Sequence, residues 1–191
     1  LPYPVTVAFG SPLPSTTTAL DARLALSELG SEAMAHRRKP SQLLHTEFMR
    51  VAKKRWRHLG MADTTGQSLT YGRTLVGSML LADVFRRKTE GQTNVGFLLP
   101  ASVGGALSNI AAQMAGRVPI NLNFPIGAEA MDEAIEQAGI RTIITSKVFL
   151  NKADLAERPG MLFLEDLRRE ISSGAKLRAL FLIDGRLAPL A

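Results

Sequence analysis

The sequence of 191 residues has no cysteine, which excludes both disulfides and thiolate metal sites. No apolar run is long enough to cross a membrane, and no signal-peptide pattern opens the chain. Acidic residues are nearly missing from the segment between His36 and His58. There Arg37, Arg38, Lys39, Arg50, Lys53, Lys54, Arg55 and Arg57 face only Glu47, eight positive charges against one negative. The whole chain carries +6, so everything outside that segment sums to −1 and the basic character is local. A general affinity for nucleic acid needs a broader footprint, and nucleic acid is not an expected partner. What remains is an ordinary globular composition, 46% hydrophobic and 21% charged, with enough length for one domain or two small ones. The chain opens on Leu1 and runs directly into a strand-like stretch, so it reads as a piece of something longer.

The pattern of apolar residues organises the chain. Val5, Val7 and Phe9 alternate between prolines and predict one short strand ending at Gly10. Thr18 and Asp21 have capping-box spacing, and Leu20, Leu24 and Leu29 share a face of a helix reaching Arg38. Pro40 stops it. Ser41 caps a second helix, with Leu44, Phe48, Val51 and Leu59 on one side, the cations on the other, and Gly60 closing it.

The character changes near His58 to Met61. MADTTGQSLT predicts a hairpin around Thr65 and Gly66, and Thr70 caps a helix running to Arg87. Strands follow at Val95–Leu99, Val118–Leu122, Arg141–Thr145 and Met161–Leu164. Helices are expected at Ser102–Ala115, Ala128–Ala138, from Ser146, and at Glu165–Ile171. Alternating strands and helices predict an α/β fold, a mostly parallel sheet flanked by helices and preceded by a short strand and two helices. The domain line falls between residues 60 and 61.

Strand, Pro100, Ser102, Gly104 and Gly105, then helix: this is the outline of a phosphate cradle. The spacing matches neither the dinucleotide fingerprint nor the Walker pattern, and no Lys or Arg occurs between Asn94 and Gly116. Close helix–strand packing without a bound phosphate is the preferred reading.

Leu69-Thr70-Tyr71, Val95 to Pro100, Ala115-Gly116 and Pro119 to Asn121, in this order, resemble the start of the adenylate-forming (AMP-dependent synthetase and ligase) superfamily. The resemblance covers residues 61–191. Arg73 departs from it, since the family more often has an acidic residue there. It implies an incomplete N-terminal subdomain, the first part of an AMP-binding domain, in a parent that uses ATP and Mg²⁺ to make a fatty-acyl adenylate. The family's phosphate loop, ribose-binding Asp and C-terminal Lys lie downstream of the matched motifs. No catalytic, cofactor-binding or metal-binding residue is therefore assigned here.

VTVAFGSPLP and the helix after it resemble the closing strand of a glycerophospholipid acyltransferase domain. The two resemblances in this order match the arrangement of bifunctional 2-acylglycerophosphoethanolamine acyltransferase/acyl-(acyl-carrier-protein) synthetases. Residues 1–60 would then be the end of the acyltransferase-like domain plus a basic linker. The implied partners are the rest of the parent chain, acyl carrier protein or CoA, a fatty acid and a lysophospholipid. The implied location is cytoplasmic, peripheral on the inner face of the cytoplasmic membrane. His58 and Asp63 have the His-x-x-x-x-Asp spacing of acyltransferase catalysis. This reading is rejected: the second acyltransferase motif, a Pro-Glu-Gly-Thr-Arg-like clamp, is absent, and the order of domains puts the true pair before Leu1.

Two readings from other classes stand beside the enzyme fragment. One is a free-standing α/β enzyme using His58 and Asp63. The other is a basic module that binds a membrane surface or nucleic acid. Its anionic-membrane contacts would be Arg50, Lys53, Lys54, Arg55, Trp56 and Arg57, where cations surround an aromatic ring. A solvated cationic helix face is the simpler account of the same residues.

Overall fold

A computed structural model describes residues 5–35, 43–123, 125, 127–172 and 174–175. The chain divides into two compact units, Leu1–Leu44 and His45–Ala191, a division earlier than the 60/61 line.

The first unit contains α1 (Ala19–Ala35), opened by the expected box. The Asp21 N–H donates to Thr18 Oγ1 at 3.2 Å, and the Thr18 hydroxyl donates to the Asp21 carboxylate at 2.6 Å. None of the residues of α1 is buried. The strand expected at Val5–Phe9 does not form: residues 5–10 have no regular structure, and Phe9 is 91% exposed. A strand is held by its neighbour's hydrogen bonds, and alternation alone supplies none. The Ser41 cap and the helix end at Arg38 lie outside the described residues.

The second unit takes in all of α2 (Leu44–Lys54) after its first residue. Its helix ends at Lys54, not Gly60; Gly60 sits in strand β1 (Leu59–Ala62), which pairs antiparallel with β2 (Ser68–Thr70). Leu59 is therefore a strand residue and, like Leu44, stays exposed, while Phe48 and Val51 are half-buried and Ala52 is buried. Thr70 caps α3 (Tyr71–Lys88) by accepting from the Arg73 N–H, as its position predicts.

The remaining elements follow the expected order. They are β3 (Asn94–Phe97), α4 (Val103–Met114), β4 (Val118–Asn121), α5 (Ala128–Gln137), β5 (Ile143–Thr145), α6 (Lys147–Ala153), β6 (Met161–Phe163) and α7 (Leu164–Arg169). The strands form one parallel sheet in the order β4-β3-β5-β6. Both faces are covered, which is why β3 and β5 read as continuous apolar runs. Phe97 and Ile144 pack with Leu81, Val84 and Phe85 of α3, Ala111 and Ala112 of α4 and Leu167 of α7. Their neighbours Leu98 and Ile143 pack with Met131 of α5 and Phe149 and Leu150 of α6. Successive residues point to opposite faces, so each short strand serves two cores.

Candidate functional site

The corner between β3 and α4 has the outline of an anion site, and its N–H groups show how it is used. Ser102 is the N-cap of α4, its Oγ accepting from the Gly105 N–H at 3.1 Å. The Val103 N–H donates to Asp63 Oδ2 at 2.9 Å, a bond across 40 residues of sequence. A helix start favours an anion because unpaired N–H groups converge there. Here the chain's own carboxylate, carried on the β1–β2 hairpin, takes that place. Gly105 packs so closely that an added Cβ would lie 2.6 Å from the Pro100 carbonyl oxygen, whereas at Gly104 the nearest atom would be 3.8 Å away. The pair thus divides: Gly105 permits a close turn, and Gly104 does not need to be glycine for space.

Asp63 spends its carboxylate on the hairpin and on α4, and no side-chain hydrogen bond between His58 and Asp63 occurs among the described residues. Asp63 Oδ1 accepts from the Thr65 N–H at 2.9 Å and the Thr65 hydroxyl at 2.5 Å, closing the hairpin as an Asx-type turn. Hydrogen bonds from the Thr65 side chain and then the Val103 N–H hold the Asp63 carboxyl below its usual range. His58 contributes its backbone, its carbonyl accepting from the Tyr71 N–H. Asp63 is a structural carboxylate.

At the carboxyl ends of the strands, other polar groups are likewise paired among themselves. Asn121, the last residue of the Pro-Ile-Asn stretch, exchanges amide hydrogen bonds with Asn109 of α4 at 2.9 and 3.1 Å. The Thr145 hydroxyl donates to the Leu98 carbonyl, tying β5 to the exit of β3. Glu165 caps α6, accepting from Ser146 Oγ at 2.7 Å and from the Lys147 N–H at 3.3 Å. Burial pushes the Glu165 carboxyl up, but these bonds outweigh it and the net shift is downward. The Asp166 carboxyl is lowered by the hydrogen bond and charge of Lys147, which lies 2.9 Å away.

Among the described residues, no group of three or more His, Asp or Glu side chains could hold a metal ion. With the Val103 and Gly105 N–H groups engaged and no Lys or Arg in the stretch from Asn94 to Gly116, the residues at this corner do not fit a nucleotide phosphate with its Mg²⁺. No chemical step is assigned to them.

Of the six residues singled out as membrane contacts, the structure treats two differently from the rest. Arg50 is paired with Glu47 at 2.6 Å. Trp56 is half-buried, its indole packed on Gly72, where an added Cβ would come within 2.5 Å of the ring. Lys53, Lys54, Arg55 and Arg57 are exposed.

No protein-family model matches the chain. Solved structures do. The N-terminal subdomain of NpsA from Klebsiella oxytoca, bound to 3-hydroxyanthranilyl-AMSN, superposes with a TM-score of 0.59 at 16% identity, covering 71% of this chain and 35% of that one. O-succinylbenzoate coenzyme A synthetase, MenE, from Bacillus subtilis in complex with AMP gives 0.57 at 15% identity, covering 66% and 33%. The same enzyme solved with ATP and magnesium ion covers 66% and 34%. The likeness is one of fold. The four-stranded parallel sheet with its hairpin has the architecture of an adenylate-forming N-terminal subdomain, and the chain spans about a third of the length of these proteins. The likeness does not extend to the acyltransferase resemblance of residues 1–60, which finds no support in these structures.

Proposed function

We propose that residues 61–191 are the opening part of the N-terminal subdomain of an acyl-activating enzyme, and that the parent makes a fatty-acyl adenylate from ATP. The observation that carries this is a coincidence of two features. The ordered stretches Leu69-Thr70-Tyr71, Val95–Pro100 and Pro119–Asn121 resemble the superfamily. The same stretches form the start of α3, the exit of β3 and strand β4 of a sheet whose fold is that of NpsA and MenE.

In this reading the segment supplies a scaffold. Its helix starts are closed by Asp63, Ser102 and Glu165, so the ATP and Mg²⁺ chemistry belongs to other parts of the parent. Transfer of the acyl group to a carrier-protein or CoA thiol, and from there to a lysophospholipid hydroxyl in the cytoplasm, extends the proposal to the bifunctional arrangement. That extension rests on the short Val5–Pro14 resemblance.

Hydroxylamine trapping tests the core of the proposal. A parent protein containing this segment, given ATP, Mg²⁺ and a fatty acid, should yield the acyl hydroxamate, and the 191-residue chain alone should not. Hydroxamate formation by the parent without ATP, or none under any condition, would overturn it. Acylation of a lysophospholipid by the same protein tests the extension separately.

A further inference from the structure

The turn that follows α2 is held more firmly than its sequence suggests. The Trp56 carbonyl accepts from the Gly72 N–H at 2.9 Å, and the His58 carbonyl accepts from the Tyr71 N–H at 3.0 Å. Two otherwise orphan donors at the start of α3 are thus satisfied by this turn. The indole lies against Gly72, and the Phe48 and Tyr71 rings meet with centroids 6.2 Å apart. Phe48 of α2 and Trp56 of the turn therefore both meet the start of α3.

That leaves Lys53, Lys54, Arg55 and Arg57 exposed on a fixed turn, with no ion pair among the described residues. The nearby acidic groups are engaged: Glu47 by Arg50, and Asp63 by Thr65 and Val103. Next to these cations Leu59 is 65% exposed. We propose that the turn carrying Lys53, Lys54, Arg55 and Arg57, with Leu59 beside it, is a docking surface for an anionic lipid bilayer.

Two observations favour lipid over nucleic acid. Binding to single strands relies on aromatic faces that stack on bases, and the one tryptophan of the chain is packed on Gly72. An exposed leucine next to a cationic cluster, by contrast, can enter the headgroup–acyl boundary while the cations meet headgroups. The proposal is separate from the acyl-activation reading, and either can fail without the other.

Co-sedimentation of the 191-residue chain with vesicles of phosphatidylcholine, with and without phosphatidylglycerol, tests it. The chain should bind the anionic vesicles, and binding should fall as salt rises. Each cation near such a surface is worth roughly a five-fold change in partitioning, so neutralising all four to Gln should weaken binding by about several hundred-fold. Leu59→Ser should weaken the binding that persists at high salt. These side chains are exposed, so the variants should keep the wild-type circular dichroism and melting curve. Equal binding to neutral vesicles, unchanged binding by the quadruple variant, or tighter binding to single-stranded DNA than to anionic vesicles at the same salt would each overturn the proposal.

Discussion

Asp63 joins the hairpin to the start of α4, and its ionisation is the condition for both contacts. Its carboxyl is lowered in the fold, so the stabilisation it gives is complete above its unfolded value, about 4, and fades as pH falls through the lower folded value. Asp166 and Glu165 are lowered too and act in the same direction. Thermal melts should therefore show Tm dropping below about pH 4 in the wild type. Asp63→Ala should lower Tm at neutral pH and make the drop on acidification smaller. An equal drop in both proteins would remove Asp63 from this account. The two adjacent glycines supply a sharper pair. Gly105→Ala should cost about 1–3 kcal/mol, because the new Cβ meets a backbone oxygen that cannot swing aside. Gly104→Ala should be neutral or stabilising by up to about 1 kcal/mol, since Ala is the better helix former and the space is open. Urea midpoints read both. The capping box, the hairpin at Gly66, the cap at Thr70 and the helix starts at Ser102 and Ser146 were legible because each is a local pattern. The Asp63–Val103 bond was not, since a carboxylate gives no local sign of which N–H it will meet 40 residues later.

Among the elements, α1 and α4 are near opposites. Helix α4 is packed against α3 and the sheet, with Ala111 and Ala112 in the core. Helix α1 has a good box and no buried residue. Caps and propensity alone leave a helix of this length marginal in water. Amide hydrogen exchange should accordingly find α1 far less protected than α3 and α4, and comparable protection would show that α1 is covered by something in solution. The same reasoning explains the failed strand at Val5–Phe9, where alternation was legible but a pairing partner was not. It also explains α2. Its cationic periodicity was readable, yet its end at Lys54 follows from Trp56 turning onto Gly72, a contact between elements. Trp56→Ala should cost about 1–2 kcal/mol through lost packing, read as a shift in the urea midpoint.

For the whole molecule, the order of strands and helices in residues 61–169 was legible almost element by element, because short apolar runs alternate with helix-like segments there. The sheet order β4-β3-β5-β6 was not, since it is decided by which cores the crossovers cover. That sheet has the fold of the NpsA and MenE N-terminal subdomains, while the starts of α4 and α6 are closed by the chain's own Asp63, Ser102 and Glu165. The central claim is that this scaffold serves adenylate formation in its parent. The most direct measurement is exchange of labelled pyrophosphate into ATP by a parent protein containing this segment. The account predicts exchange that requires both Mg²⁺ and a fatty acid, and that is reduced in the parent carrying Gly105→Ala. Exchange that ignores the fatty acid, or its complete absence from a folded parent, would contradict it.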